Sequence, residues 1–184
     1  MSWAEENKRQ IESLAGCVVA QALIVEMAMI EEGPDGLPIF RLPVLPLFQC
    51  SLIELVLADG RVARLSSHQN DATFGICVDF HESFSIDNSW NLPRPDGEPS
   101  IYRVPEDIGF PLGKISTIRV DLDENRDVTQ IDMAISGSRI VLKAGEVIEG
   151  HGTFVVAEQD ESILLFLCAD DLSGVRFSPE EYQL

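Results

Sequence analysis

Apolar and polar residues alternate with a period of two over much of this chain, and that rhythm predicts strands. It is clearest from Leu52 to Leu65. Ile53, Leu55 and Leu57 fall on one face, and Ala58-Asp59-Gly60-Arg61 then reverses the chain into Val62–Leu65. Asp-Gly between two alternating runs is a strong hairpin signal, because glycine accepts the positive φ a tight turn needs. Phe74–Phe80 adds a strand. The rhythm returns at Lys114 with Ile115–Leu122, an acidic turn at 123–127, Val128–Ile135, a turn at Ser136-Gly137-Ser138, and Arg139–Lys143. Thr153–Ala157 and Ile163–Leu167, joined by a turn over Glu158–Glu161, read as a last hairpin. Cys17–Ile30 is apolar almost throughout and matches helix and strand templates alike. Its β-branched Val18, Val19, Ile24, Val25 and Ile30 favour a strand.

Other segments break the rhythm. Ser2–Leu14 reads as an amphipathic helix. Ser2 and Glu5 form a capping-box pair, Gly16 follows its end, and Trp3, Ile11 and Leu14 supply an apolar stripe to lie on the sheet. Gly33-Pro34-Asp35-Gly36 is a turn. Pro38, Pro43 and Pro46 then make 37–48 an edge segment or a cover for one end of the core, because proline cannot donate to a ladder. His81–Gly113 holds five of the ten prolines together with Phe84, Trp90, Tyr102 and Phe110, which predicts a long irregular loop that acts as a lid or a functional surface. The tail from Ser173 is polar and expected at the periphery. Ile53–Leu57 with Arg61-Val62 resembles Ile131–Ile135 with Arg139-Ile140, as any two amphipathic hairpins would. The expected fold is mainly β (α+β): an antiparallel sheet, sandwich or partly open barrel of hairpins with the N-terminal helix packed on it. Residues 1–184 are expected to form a single domain, with β units at 17–80 and 114–168 and the proline-rich loop at 81–113.

Composition supports a packed core, since 45% of residues are apolar. The charge adds more: 31 acidic residues stand against 13 Lys plus Arg, a net charge of −18. Such a chain repels nucleic-acid phosphates and anionic membrane surfaces, and attracts a basic protein. Cys17, Cys50, Cys77 and Cys168 lie in apolar stretches without a CxxC pair, so buried free thiols in a reducing compartment are expected. No basic-then-apolar leader opens the chain, and Gln21 and Glu26 interrupt its longest apolar run, so a cytoplasmic location is expected.

Motif chemistry is sparse. His68, His81 and His151 are far apart and share no ligand spacing. Asp121, Asp123, Asn125 and Asp132 mimic a calcium loop, but Arg126 stands where such a loop needs glycine and the flanks read as strands, so an acidic hairpin turn is the better reading. Ser66–Asp71 brings Ser, His and Asp close in sequence without a nucleophile elbow and reads as a polar loop. Gly145–Gly150 lacks phosphate-loop spacing. These readings leave no catalytic residue, metal site or cofactor to assign, and the chain is expected not to be an enzyme.

What remains is surface. Asp121, Asp123, Glu124 and Asp127 cluster on one expected turn and Glu158, Asp160 and Glu161 on another, with Asp170 and Asp171 further along. Turns at one end of a sheet would form a negative patch able to fill a cationic cleft. Trp90 and Tyr102 of the long loop are the candidate anchors within it.

Two stretches, Leu57–Ile76 and Lys143–Leu164, resemble small bacterial proteins. In size, acidity and lack of catalytic motifs the whole chain resembles immunity proteins of bacterial toxin–immunity systems. The resemblance implies a cytosolic inhibitor of a cognate basic toxin, a nuclease above all, bound through carboxylates. It carries no functional residue across. Two other classes stand beside it: a small-molecule-binding or enzymatic β-barrel, and a scaffold that dimerises through the edge at 37–48.

Overall fold

Ten strands account for the body of the chain in a computed structural model that describes residues 2–70, 73–150 and 153–178. Helix α1 (Trp3–Glu12) leads into β1 (Val18–Met27), β2 (Phe48–Leu57), β3 (Val62–Asn70) and β4 (Thr73–His81). A long connection carries only a 3₁₀ turn at Asn88–Asn91 and the short β5 (Tyr102–Arg103). Then follow β6 (Gly113–Leu122), β7 (Val128–Ile135), β8 (Ser138–Gly150), β9 (Thr153–Phe166) and β10 (Phe177–Ser178).

Two antiparallel meanders, β1–β4 and β6–β9, are joined twice. β1 pairs with β6 at Val18–Val19, and the first residues of β2 pair with β9 at Ile163–Leu165. These contacts close β1, β2, β9, β8, β7 and β6 into a ring, while β3 and β4 extend beyond β2. The predicted mainly β fold with an N-terminal helix packed on it is therefore observed, as a partly closed ring. The hairpin turns follow local sequence: Gly60 takes φ +92°, and Ser136 and Gly137 take +49° and +89°, both positive as a two-residue hairpin loop requires.

The main core lies between the meanders. Ile53, Leu55 and Leu57 of β2 meet Ile131, Met133 and Ile135 of β7 and Ile163 and Leu165 of β9. A second core covers the outer face of β8 and β9, where Leu164, Phe166, Val147 and Val156 meet Ile30, Leu42 and Leu47. The last four residues of β9, Ile163–Phe166, are buried on both faces, which is why they form a continuous apolar run without alternation. The segment 37–48 is thus a cover, one of its two expected roles.

Ser2 and Glu5 cap α1 reciprocally, and Ile11 and Leu14 are fully buried. Asn7, almost fully buried, donates from Nδ2 to Ile76 O (2.9 Å) and accepts the Val78 N–H (3.0 Å). One side chain thereby satisfies the outer edge of β4 as a neighbouring strand would. Trp3 departs from its expected place in the buried stripe. It is 50% exposed and stacks against His68 with ring centroids 4.3 Å apart.

Four other expectations are corrected. Ser66–Asn70 is not a loop: it continues β3, paired with β4, because cross-strand bonding does not require apolar side chains; Asp71 lies outside the described residues. Glu158–Glu161 is not a hairpin turn, as described below. The tail from Ser173 is peripheral but not simply polar, since β10 is the outermost strand, parallel to β9, while Val175 is buried and Phe177 packs on Phe166; residues 179–184 lie outside the described residues. The cysteines are unpaired but not uniformly buried: Cys50 is buried, Cys17 and Cys77 are half-buried, and Cys168 is exposed just before a 3₁₀ turn. No helix among the described residues is long and apolar enough to cross a membrane.

Candidate functional site

The site begins where β1 leaves the ring. Glu26, fully buried, accepts from Arg41 Nε (3.0 Å) and from Arg103 Nε (2.7 Å). A buried carboxylate needs such partners. Each guanidinium also lies over an aromatic ring, Arg41 on Phe48 and Arg103 on Phe40, at 4.3 and 4.2 Å from the ring centroid. One carboxylate thus ties the cover segment and the long loop to β1. Arg103 and Tyr102 pair with Glu26 and Met27, which seats β5 on the strand.

A web of polar contacts holds the loop around Tyr102. The Ser100 hydroxyl donates to Trp90 O and accepts the Tyr102 N–H, each at 3.1 Å, while the Val104 N–H donates to Asn91 Oδ1 (2.7 Å). Trp90 and Tyr102 meet edge to face at 5.8 Å. Further back, Glu54 anchors the start of the loop by accepting from the N–H groups of Ser85 and Ile86 and from Arg64. Burial raises the Glu54 pKa, but these bonds outweigh it and hold the carboxyl below its ordinary 4.5. Between loop and cover runs an open groove of about 520 Å³, lined by Leu37, Pro38, Phe40, Pro93, Pro99 and Tyr102, with Arg103 in its wall.

An irregularity in the β8–β9 ladder brings acids to the same place. Ala144 pairs with Ile163, but the next residue, Gly145, pairs with Glu158, so 159–162 bulge out of β9. Gly145 permits this: a Cβ there would lie 2.4 Å from Ala157 O. Gln159 takes φ +54° and donates to Asp123 Oδ2 (2.6 Å), and buried Ser162 reaches Met27. The bulge presents Asp160 and Glu161 beside Glu146 of β8 and beside Glu31, just past β1. Burial first, then the charges of Asp160, Glu161 and Glu31, push the Glu146 carboxyl from 4.5 up to about 7. Burial, then Glu161, Glu31 and Glu146, raise the Tyr102 hydroxyl. Tyr102 therefore borders both the acidic cluster and the groove.

Several acids elsewhere are paired with a base. Arg64 pairs with Glu54, Arg119 and Arg139 with Asp132, and Lys143 with Glu158 at 3.1 Å. Among the described residues, Glu31, Glu146, Asp160 and Glu161 have no Lys or Arg within ion-pair distance. No group of three or more His, Cys, Asp and Glu there is arranged to hold a metal ion.

The sequence candidates divide accordingly. Trp90, Tyr102, Asp160 and Glu161 converge at this end of the molecule. Glu158 stays in the ladder opposite Gly145, just before the bulge, and is engaged by Lys143. Asp121 pairs with Arg119 (3.3 Å), and Asp123 holds its own turn by accepting the Asp127 N–H (2.8 Å). Glu124 is exposed. Asp127 contradicts the surface reading: it is only 2% exposed, because the start of β7 packs beneath Gly75 of β4. His151 lies outside the described residues. Glu31 and Glu146 escaped the sequence reading, since nothing local marks them; only the fold sets them near Asp160, Glu161 and Tyr102. No family model, curated protein or solved structure matches the chain.

Proposed function

We propose that this chain is a binding protein for a cationic protein partner, of the kind an immunity protein uses to neutralise a basic toxin. The observation that supports this reading is the crowding of Glu31, Glu146, Asp160 and Glu161 without a basic neighbour, at the end of an aromatic- and proline-lined groove. Like charges held together raise the energy of the free protein, and an incoming cation relieves it. Trp90 and Tyr102 supply rigid apolar surface beside the charge, the combination that dominates interface energetics. The net charge of −18 steers the encounter.

The test is coexpression with the product of the neighbouring gene. Protection by the wild type, lost on D160K/E161K with the fold retained by circular dichroism, supports an immunity role. Unchanged survival with the charge-reversed variant refutes it.

A second reading rests on Glu146. A carboxyl near 7 beside a tyrosine suits general acid–base chemistry on a small molecule in the groove. Binding of an uncharged ligand that persists at high salt would favour it, because screening abolishes the attraction of a cationic protein.

A further inference from the structure

Among the described residues, the outer edge of β1 has strand partners at both ends and none between. Val18 and Val19 pair with β6, and Glu26 and Met27 pair with β5. The open stretch can be assigned atom by atom. Leu57 N–H donates to Arg61 O, so odd-numbered residues of β2 from Leu57 down to Ile53 face β3 and even-numbered ones face β1. The register Gln21↔Val56, Leu23↔Glu54 and Val25↔Leu52 then directs residues 21, 23 and 25 towards β2. Ala22 and Ile24 accordingly turn their N–H and C=O groups outward, in phase with Ala28, whose N–H reaches Ile101 O at 2.8 Å. No described residue hydrogen-bonds to them there.

The neighbouring chain does not close the gap. Residues 104–112 run alongside as a wall, leaving a cavity of about 210 Å³ between Gln21–Ile24 and Val104, Ile108, Phe110 and Leu112. Pro105 and Pro111 have no N–H, so this wall cannot form a continuous ladder with β1. Ile108, Phe110 and Leu112 give the wall apolar side chains, and the exposed Glu106 and Asp107 line the same cavity.

We propose that an extended segment of a cationic protein adds to β1 as a strand over Ala20–Val25, placing apolar side chains against Ile108 and Phe110 and basic ones at Glu106 and Asp107. The occupant rests on the cationic-partner reading above. A second copy of this chain is disfavoured because it would bring another charge of −18. Main-chain bonds to Ala22 and Ile24 supply affinity, and the cavity and its acids supply selectivity.

The probe is a soluble peptide alternating Lys and Val, titrated into the full-length ¹⁵N-labelled chain while amide exchange is followed. Strand addition predicts at least a ~10-fold slowing of exchange at the Ala22 and Ile24 amides. It also predicts loss of that protection when the peptide is N-methylated at alternate residues, and about tenfold weaker binding to E106K/D107K. Equal binding of the N-methylated peptide, or unchanged exchange at both amides, overturns it. The same titration reports Tyr102 and Glu161 separately. Shifts confined to Tyr102 and Glu161 sink strand addition alone, while protection at Ala22 and Ile24 without shifts at Tyr102 sinks the groove reading alone.

Discussion

Replacing Glu146 with glutamine should stabilise this protein, most strongly at neutral to alkaline pH. In the folded chain the carboxyl titrates at about 7, against an ordinary 4.5. An acid whose folded pKa is raised binds its proton more tightly when folded, so its favourable contribution is present at low pH and is lost as pH rises from 4.5 through 7. A gap of about 2.5 units at 1.36 kcal/mol per unit sets an upper bound of about 3.4 kcal/mol. Glu146 keeps some contact with solvent, and screening reduces the effect to roughly 1–2 kcal/mol at pH 8. For a chain of this size that corresponds to a rise in Tm of roughly 3–6 °C. At pH 5 the folded carboxyl is already protonated, and the linkage relation shrinks the gain to about a quarter. Urea unfolding of wild type and E146Q at the two pH values measures it, with m-values checked for equality. A gain of the same size at both pH values, or a loss at pH 8, would show that Glu146 is not held in an uncompensated acidic cluster.

Three further outcomes are expected. Glu54→Gln should destabilise by about 3 kcal/mol at pH 7, since it removes a buried charge from Arg64 and from two loop N–H groups. Because the Glu54 pKa is lowered, that loss should diminish as pH falls below 4.5, which chemical denaturation at pH 3.5 and pH 7 will reveal. Asn7→Ala should cost about 2–3 kcal/mol by orphaning Ile76 O and Val78 N–H, and amide exchange at Val78 should quicken more than at Leu55. Gly145→Ala should destabilise by at least ~2 kcal/mol through collision with Ala157 O, with near-ultraviolet dichroism of Tyr102 altered as the bulge shifts.

Local signals recovered local structure. The capping box started α1, Asp59-Gly60 turned β2 into β3, and Ser136-Gly137 turned β7 into β8, because each depends on bonding among a few adjacent residues. The misreading at Glu158–Glu161 has a definite cause. Four polar residues in succession carry the composition of a turn, yet Glu158 stays paired and the next three belong to a bulge within a strand whose path is set by Gly145 opposite and by β2 pairing with Ile163–Leu165. That pairing spans more than a hundred residues and leaves no periodic trace. The burial of Asp127 is equally invisible locally, since Gly75 of the distant β4 packs against it. The site was half legible. Trp90 and Tyr102 stood out as aromatics in a proline-rich loop, whereas Glu146 looks like any strand carboxylate until β9 sets Asp160 and Glu161 beside it.

The most direct test is a chemical-shift titration of the ¹⁵N-labelled chain with a small basic protein of known fold, at low salt and again at 0.5 M NaCl. Perturbations centred on Trp90, Tyr102, Glu146, Asp160 and Glu161, and erased by the salt, are the predicted result. Perturbations spread evenly over the acidic surface, or gathered at Asp121 and Glu124 instead, would contradict it.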